Sequence, residues 1–310
     1  MTVEAVDAWP PVRCARCNTV VEGAAGHYRC ACGWALDPDG GVAVWSSDAP
    51  VGSSYPAHAA RAQAEWELTH FWPRGRALIL GDVVSARVRP ETPSRPARFL
   101  EVGCGTGTVL GQMAGRGLAV TGCDAFRSNL EVARLRVPTA ALFQADGARA
   151  AAPEWFDAVG LFDVIEHLDD EGPILSACLN VVRPAGQLFV AVPAFPWLYG
   201  RRDRIAGHRR RYRADTLRAC IEAAGWRVEW VTYFSTVLFP LFAAARIVEK
   251  LLDIGGTGGP DPASGTDLAE TKSGRALNGL GRMSFALERR WLERHSLPFG
   301  SSLLAVARRP

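Results

Sequence analysis

The sequence has no long hydrophobic run and no marked excess of charge of one sign. Its longest apolar stretch, 233–245 (YFSTVLFPLFAAA), covers 13 residues, whereas a helix needs about 20 apolar residues to cross a bilayer. The first dozen residues carry Glu4 and Asp7 and lack the apolar core of a signal peptide. The net charge of +3 over 310 residues does not by itself indicate nucleic-acid binding. We therefore expect a cytoplasmic protein without a transmembrane segment.

Two nucleotide-binding signatures are incomplete in the glycine-rich segment 99–113 (FLEVGCGTGTVLGQM). No lysine follows the glycines, which argues against a P-loop. Thr108 occupies the position of the third glycine in the dinucleotide fingerprint, so the glycines are Gly103, Gly105 and Gly107. A loop of this kind still directs backbone N–H groups and a helix N-terminus toward a ligand. The pattern favours a nucleoside without a pyrophosphate over the alternative of an NAD-type oxidoreductase.

Strand and helix patterns alternate after this loop, which favours a parallel sheet with helices on both faces. Strands are predicted at 98–102, 119–123, 140–144, 157–162, 187–192, 228–234 and 303–307, and helices at 107–115, 127–135 and 171–182. Outside this region, a helical pattern divided by Pro73 covers 57–89. An apolar helix at 236–252, a flexible loop at 255–266 and a charged helix at 274–294 precede the last strand.

Acidic residues end four consecutive predicted strands: Glu101, Asp124, Asp146 and Asp163. Open α/β sheets bind ligands at the carboxyl ends of their strands. Asp124 is placed to accept both hydroxyls of a ribose, and Asp146 to accept the exocyclic amine of adenine. Glu101 and Asp163 add negative charge for a cationic ligand. One such acid alone is more typical of a cap or a turn, but four together indicate a site.

Five segments carry the pattern of a known family. They are EVGCGTG (101–107), GCDAF (122–126), QADG (144–147), FDVIEHLDD (162–170) and VVRPAGQLFVAVPA (181–194). With them the chain resembles class I S-adenosylmethionine-dependent methyltransferases, although Pro184-Ala185-Gly186 replaces their usual Pro-Gly-Gly turn. The resemblance implies an α/β, Rossmann-like, doubly wound sheet of seven strands with an antiparallel last hairpin.

The same resemblance implies S-adenosylmethionine as cofactor and assigns residues to it. It implies that the three glycines lie against the methionine part, Asp124 on the ribose, Asp146 at the adenine and Glu101 near the amino group. Further cofactor contacts are expected at Cys104, Ala125, Gly147, Phe162 and Asp163.

Four of the eight cysteines fall within 19 residues, at Cys14, Cys17, Cys30 and Cys32. Four thiolates at this spacing can surround a structural zinc ion, although the second pair is closer than usual and unliganded thiols are the alternative. A four-cysteine site leaves no position for a catalytic water. The segment also resembles the zinc ribbons of some rRNA and natural-product methyltransferases. We expect a zinc ribbon at 1–46.

The remaining chain is predicted to divide into a helical cap at 57–90 and a methyltransferase domain at 97–310. This domain is expected to contain a helical insert at about 236–295. HFWPRGRALI (70–79), DRIAGHRRRYRADTL (203–217) and SLPFGSSLLAVARRP (296–310) further resemble a bacterial subgroup of these enzymes, whose members often have an apolar insert before the last strand.

Two histidines that follow the fourth and fifth strands are candidates for a general base. His167 lies in IEHL and His208 in GHRRRY, where Tyr212 is a potential helper. A base assists methyl transfer to a hydroxyl or a protonated amine, and imidazole titrates near neutrality. A structural histidine is the alternative at each position.

The acceptor is less well defined by the sequence. Seven arginines in 201–213 favour a solvated basic face over an anion clamp or a nucleic-acid surface. Helix 236–252 is predicted as a core or lid helix, with a lipid-facing surface as the alternative.

We expect methyl transfer to oxygen or nitrogen of a small molecule, such as a natural product or a glycan- or lipid-like compound. An RNA methyltransferase that uses the ribbon, and a non-catalytic nucleoside-binding interaction protein, stay open. Nothing indicates the oligomeric state.

Overall fold

The computed structural model describes residues 9–45, 57–252 and 272–310. The predicted loop 255–266 and the segment 46–56 lie outside the described residues. The described strands are β1 Val12–Arg13, β2 Val20–Val21, β3 Gly23–Ala24, β4 His27–Arg29, β5 Ala35–Leu36, β6 Pro38–Asp39, β7 Val42–Val44, β8 Arg98–Val102, β9 Ala119–Asp124, β10 Ala141–Gln144, β11 Phe156–Phe162, β12 Val182–Pro193, β13 Arg227–Phe234 and β14 Ser302–Arg308. The helices are α1 Ala57–Thr69, α2 Phe71–Arg87, α3 Thr108–Ala114, α4 Arg127–Arg136, α5 Gly172–Val181, α6 Arg201–Ile205, α7 Ala214–Ala223, α8 Phe239–Leu252 and α9 Lys272–Leu292.

The main sheet has the order β13-β14-β12-β11-β8-β9-β10-β7-β6. The five neighbouring strands β12, β11, β8, β9 and β10 pair in parallel. β14 runs antiparallel to both β12 and β13. The predicted Rossmann-like sheet with its antiparallel last hairpin is therefore confirmed.

Two strands extend the expected sheet of seven strands. β7 pairs in parallel with β10, and β6 pairs antiparallel with β7. Both come from the N-terminal segment, which was predicted only as a separate ribbon. Without them β10 would have an unpaired edge with free backbone N–H and C=O groups. The limits predicted for the ribbon, cap and methyltransferase parts stay predictions.

Helices cover both faces of the sheet, as the alternating pattern predicts. One apolar layer contains α5 and α7 together with the N-terminal segment, through residues such as Leu175 and Leu217. The other contains α2, α3, α4 and α9, through residues such as Leu80, Leu110 and Phe285. Among the described residues, no helix combines the length and apolarity needed to cross a membrane.

The helical cap is interrupted at a different residue from the one predicted. The break lies at His70, whose Nδ1 accepts a hydrogen bond from the Trp72 amide at 3.2 Å and so caps α2. Pro73 lies in the first turn of α2, where a missing N–H breaks no helical hydrogen bond. Helices α6 and α7 were not predicted.

Asp157 links three segments at the start of β11, and its side chain is fully buried. Its carboxylate accepts hydrogen bonds from Arg95 at 2.6 Å, Arg183 at 2.6 Å and the Arg98 amide at 2.8 Å. Burial alone would raise the pKa of Asp157, but these donors outweigh it and hold the pKa below its usual value. The native state therefore favours the charged form of this carboxylate.

Replacing Asp157 with alanine is expected to lower the free energy of unfolding by about 3 kcal/mol, because two arginines lose a buried partner. Since folding lowers the pKa, this contribution is complete at neutral pH and is lost as the pH falls below about 4. Urea unfolding at pH 7 and pH 3.5 measures both effects. Glu91→Gln is the control, because Glu91 contacts Arg95 from a largely exposed position. Equal effects of the two substitutions would contradict the assignment.

Candidate functional site

The glycine loop joins β8 to α3 in a backbone conformation that only glycine adopts easily. Gly103, Gly105 and Gly107 have φ values of 72°, 53° and 79°. A Cβ atom on Gly103 would lie 2.5 Å from Val164 Cγ2, whereas the space beside Gly105 is open to 4 Å. The amides of Gly103 and Cys104 both donate to the Cys123 carbonyl, which fixes the loop to β9. The loop thus has the tight turn and free space of a ligand cradle.

Asp124 connects the loop to the end of β9. Its side chain is nearly buried and accepts hydrogen bonds from the amides of Gly105 at 2.9 Å and Phe126 at 2.8 Å, and from Asn129 Nδ2 at 3.3 Å. Burial raises the pKa of Asp124, and these three donors partly offset that rise. Since each carboxylate oxygen accepts two hydrogen bonds, Asp124 retains capacity for a ligand.

Glu101 lies at the end of β8 and is 3% exposed. Its Oε2 atom is buried and has no hydrogen-bond partner among the described residues. Burial and the nearby charges of Glu67 and Asp124 raise the pKa of Glu101 well above its usual value. A buried carboxyl group without a partner is costly to maintain, so its position fits the cationic group of a ligand.

Asp146 and Asp163 are placed differently from each other. Asp146 is exposed, and its side chain makes no capping hydrogen bond. Gly147 follows it with a φ of 76°. Asp163 has a φ of 57° and forms an ion pair of 2.6 Å with the buried Arg76 of α2. Asp146 is thus accessible to a ligand, whereas the Asp163 carboxylate is already held by the cap.

Two further predicted contacts, Cys104 and Phe162, have buried side chains, and a third, Ala125, makes a hydrogen bond through its backbone. Cys104 is buried, with its sulfur beside Gly122, and burial raises the pKa of its thiol. Phe162 is buried near Phe99, with 6.5 Å between the ring centroids. The Ala125 carbonyl accepts a hydrogen bond from Gln144. Contacts from Cys104 and Phe162 to a cofactor would therefore use mainly backbone atoms.

The cap contributes a residue that the sequence did not indicate. Glu67 of α1 accepts hydrogen bonds from Thr106 Oγ1 at 2.5 Å, Arg136 Nη1 at 2.7 Å and Thr108 Oγ1. Its partners lie 39 to 69 residues away along the chain, so no local pattern reveals the contact. The cap is therefore fastened directly to the glycine loop.

The two candidate bases lie together beyond the ends of β11 and β12. The rings of His167 and His208 are 4.9 Å apart at 80°. His167 Nδ1 lies 3.2 Å from the Gly207 carbonyl oxygen, and His208 Nδ1 lies 3.0 Å from Asp203 Oδ1. Because both partners accept, each Nδ1 donates, and in the neutral ring each Nε2 keeps its lone pair. Burial, followed by the neighbouring His208, lowers the pKa of His167.

Asp203 was not predicted as a site residue, yet it is 1% exposed and organises the segment around His208. It accepts hydrogen bonds from His208, from Arg211 Nε at 2.8 Å and from the Gly200 amide at 2.9 Å. Burial would raise the pKa of Asp203, but the donors hold it far below its usual value. A charged Asp203 fixes the orientation of the His208 ring.

Glu166 lies next to the two histidines, His167 and His208. It is fully buried, and neither carboxylate oxygen has a hydrogen-bond partner among the described residues. Burial, followed by Asp163, raises the pKa of Glu166 well above its usual value. Atoms of Glu166, His167 and His208 lie within 4.8 Å of one another. Two histidines and a carboxylate can serve in proton transfer or bind a divalent cation.

Tyr212 is 3% exposed, and its hydroxyl donates to the Ile165 carbonyl at 3.3 Å. Burial, followed by the charge of Glu171, raises the pKa of Tyr212. This environment favours a structural role for the predicted helper of His208.

Four arginines of the basic segment already form ion pairs. Arg209 pairs with Asp169, Arg210 with Glu171, Arg211 with Asp203 and Arg213 with Asp215. This pairing reduces the charge available for an anion clamp or a nucleic-acid surface.

The four clustered cysteines converge in the N-terminal segment. Cys14 and Cys32 sulfurs are 3.5 Å apart, as are those of Cys17 and Cys30, and all four sulfurs lie within 4.8 Å of one another. A tetrahedral zinc site with four thiolates has sulfurs about 3.8 Å apart. The donor set and its spacing therefore fit a structural zinc ion.

Comparisons with known proteins match part of the chain. The ubiquinone biosynthesis O-methyltransferase of Brucella ovis is 34% identical over 157 residues, which cover 46% of this chain and 63% of that protein. The enzyme of that description from Stutzerimonas stutzeri is 37% identical over 98 residues, covering 30% and 42%. The chain thus spans less than two thirds of the length of these curated relatives.

A solved structure shares the fold. Phosphoethanolamine N-methyltransferase 2 of Haemonchus contortus, in complex with S-adenosyl-L-methionine, superposes with a TM-score of 0.51 at 17% identity. The match covers 84% of this chain and 58% of that one. The family model described as a methyltransferase domain matches residues 74–231. This range is half of the chain and includes the glycine loop and the acids at all four strand ends, so the chain belongs to the methyltransferase-domain family.

Proposed function

We propose that this protein transfers a methyl group from S-adenosylmethionine to an oxygen atom of a small-molecule acceptor. The observation that carries the proposal is the buried carboxyl group of Glu101 beside the open glycine cradle, because its Oε2 atom has no hydrogen-bond partner among the described residues. A cationic nucleoside would provide a positively charged partner for the carboxyl group of Glu101. S-adenosylmethionine is such a ligand, and it carries its methyl group on a sulfonium.

Each cofactor contact follows from the position of a residue in the site. The glycine loop would face the methionine part, and Glu101 its amino group. Asp124 would accept the ribose hydroxyls with the hydrogen-bonding capacity that it retains. Asp146, which is exposed at the end of β10, would accept the adenine amine, with Gly147 allowing close approach.

Binding of S-adenosylmethionine is expected to release a proton from Glu101. Because the pKa of Glu101 is raised in the free protein, the carboxyl group holds a proton that a neighbouring cationic amino group would displace. The free state then binds more protons than the complex, so affinity increases as the pH rises toward the raised pKa of Glu101, by at most about tenfold per pH unit.

Calorimetry in two buffers with different enthalpies of ionisation measures this proton release. In the control variant Glu101→Gln, the heat of binding should not depend on the buffer. Proton uptake by the unsubstituted protein, or equal release by both proteins, would contradict the assignment of Glu101.

We assign the general base to His208, whose Nδ1 is held by Asp203. With Nδ1 donating to a carboxylate, Nε2 is the atom that would take a proton from an acceptor hydroxyl. His167, with a lowered pKa, would remain neutral beside it. Tyr212 enters this proposal only as structural support.

An aromatic cluster lies at the same edge of the sheet and supports an apolar acceptor. Phe195 follows β12 with a φ of 61° and stacks on Tyr233 at 5.0 Å. Phe239 lies 5.5 Å from Phe195 and 5.8 Å from Phe299. Strained, non-glycine backbone is typical of functional sites, and aromatic side chains stack with aromatic ligands.

A phenolic hydroxyl on a molecule with an apolar substituent is therefore the acceptor that we propose. The relatives named as O-methyltransferases of ubiquinone biosynthesis support an oxygen acceptor. The paired arginines disfavour an RNA acceptor.

The test is an acceptor panel with mass-spectrometric detection of product. Catechol, catechols with alkyl substituents of increasing length, phosphoethanolamine and a structured RNA are incubated with the protein and S-adenosylmethionine. The expected result is methylation of catechol oxygen with a KM that falls as the substituent lengthens. Methylation of phosphoethanolamine or RNA alone would contradict the acceptor class. Cofactor binding without any turnover would support the non-catalytic alternative.

The proposal also includes a structural zinc ion on Cys14, Cys17, Cys30 and Cys32. A segment this short gains most of its stability from a metal when it lacks a core of its own. Native mass spectrometry of the purified protein tests the expected content of one zinc ion per chain.

A further inference from the structure

The N-terminal segment contacts the strand and the turn that carry the proposed adenine contact. β7 pairs with β10 through Ala43 to Phe143 and Val44 to Gln144, and the Trp45 amide donates to the Gln144 carbonyl at 3.1 Å. β10 leads directly into Asp146-Gly147, the proposed adenine contact. The position of this turn therefore depends on a strand that the N-terminal segment supplies.

A second set of contacts holds the far side of the same turn. Val12 of β1 forms an antiparallel bridge with Ala151, and the Ala152 amide donates to the Pro11 carbonyl at 2.8 Å. Residues 147–150 are a short 3-10 helix between these two attachments. The N-terminal segment thus fixes both ends of the turn that follows β10.

The cysteines lie immediately next to these contacts. Cys14 follows β1 directly and is 2% exposed. Tyr28, two residues before Cys30, donates from its hydroxyl to the Pro10 carbonyl at 2.7 Å. Trp9 packs between Gly26 and Phe143, with its ring centroid 5.1 Å from that of Phe143. A metal ion on the four sulfurs would therefore fix the residues that hold the turn.

We propose that zinc on the four cysteines strengthens the binding of S-adenosylmethionine, because the ribbon holds the 146–152 turn in its binding conformation. The inference rests on the proposed cofactor site and assigns the ribbon the role of an activating domain within the same chain. Coupling of this kind typically changes affinity by roughly 5- to 150-fold and is reciprocal. Bound S-adenosylmethionine therefore tightens zinc binding by the same factor.

The first experiment measures the coupling in both directions on the full chain. Calorimetry gives the Kd for S-adenosylmethionine with zinc bound and after removal of zinc by a chelator. A competition assay gives the zinc affinity with and without S-adenosylmethionine. Equal factors of at least about fivefold are expected. Equal affinities in the two zinc states would overturn the coupling, whereas absence of cofactor binding in both states would instead refute the proposed function.

Hydrogen exchange separates local coupling from general loss of structure. Removal of zinc is expected to increase exchange at amides 141–152 while β13 and β14 keep their protection. Loss of protection throughout the sheet would make zinc a general stability element and would overturn the proposal.

A variant separates metal binding from attachment of the ribbon. Trp9→Ala keeps all four cysteines but removes the contact with Phe143, so it should bind zinc normally while zinc changes its affinity for S-adenosylmethionine by a smaller factor. If this variant loses zinc, Tyr28→Phe, which removes the hydroxyl that donates to the Pro10 carbonyl, replaces it and should show a smaller coupling factor. Cys220→Ser in α7 is the control and should behave like the unsubstituted protein. Full coupling in the variant that retains zinc would overturn the proposal.

Discussion

His208→Ala is expected to lower kcat for methyl transfer by roughly 10²- to 10⁴-fold, the usual contribution of a general base, while the Kd for S-adenosylmethionine changes little. The reason is geometric. Asp203 accepts from Nδ1 of His208 at 3.0 Å, which leaves Nε2 as the only ring atom that can receive a proton. The proposed cofactor contacts lie at the ends of β8, β9 and β10 and in the turns that follow them, so removal of the ring should not disturb them.

Steady-state kinetics with the best catechol of the panel, together with calorimetry of cofactor binding, measure the two effects. Added imidazole should restore part of the lost kcat in His208→Ala, since it can occupy the vacated space and accept the proton. His295→Ala is a matched control, because His295 is exposed beside Trp291 at the end of α9.

Asp203 acts through His208 and is a positioning residue. Asp203→Asn is expected to lower kcat with little change in the acceptor KM, because an amide can donate as well as accept and no longer fixes the ring proton. Imidazole should not rescue this variant, since its His208 ring is still present. A merely structural loss would lower the fraction of active protein and would leave the kcat of the folded molecules unchanged.

Two outcomes would reassign the chemistry. If His167→Ala loses activity and His208→Ala does not, the base is His167. A chelator can also be applied under conditions in which the ribbon keeps its zinc. If it then abolishes turnover and an added divalent cation restores it, the cluster of Glu166, His167 and His208 binds a cation instead of transferring a proton.

The central sheet was predictable because its signals are local. Each strand from 98–102 to 303–307 is a short apolar run bounded by polar or glycine residues, and the observed limits differ from the prediction by one or two residues at most positions. The exception is β12, which begins at Val182 instead of residue 187. The glycine loop was predictable for a related reason, since three glycines between a strand and a helix require a particular turn.

Contacts between distant segments were not predictable from the same sequence. Glu67 reaches Thr106 across 39 residues, and Arg76 reaches Asp163 across 87. Neither pair has a spacing that any local period would reveal. The strands β6 and β7 are two and three residues long, which is too short for a periodic pattern, and they become strands because the edge of β10 is available.

Asp203 illustrates a third limit. In the sequence it is one acid among seven arginines and is typical of a solvated basic face. Only the fold shows that it is buried and that His208, Arg211 and Gly200 converge on it. Burial of a charge depends on the whole tertiary structure, so a local composition cannot distinguish this acid from an exposed one.

Asp124→Ala is expected to weaken the binding of S-adenosylmethionine by at least about 100-fold, since two hydrogen bonds from the ribose to a charged acceptor would be lost. The substitution also leaves the amides of Gly105 and Phe126 without their present partner. The glycine loop should therefore loosen, and the free energy of unfolding should fall by about 2 kcal/mol. Calorimetry measures the first effect and urea unfolding the second.

A second substitution separates the two uses of this carboxylate. Asp124→Asn removes the charge but keeps one oxygen acceptor, which can serve only one of the two loop amides because Gly105 donates to Oδ2 and Phe126 to Oδ1. Its stability should therefore fall less than that of Asp124→Ala, while cofactor affinity still falls. Asp215→Ala is the control for loss of an acid, because Asp215 is an exposed residue of α7. If Asp124→Asn binds S-adenosylmethionine normally, Asp124 serves only to fasten the loop to β9, and the ribose must be held by another group. That result would leave the buried carboxyl group of Glu101 as the main charged contact of the cofactor. The pH dependence of cofactor binding would then come from Glu101 and not from Asp124.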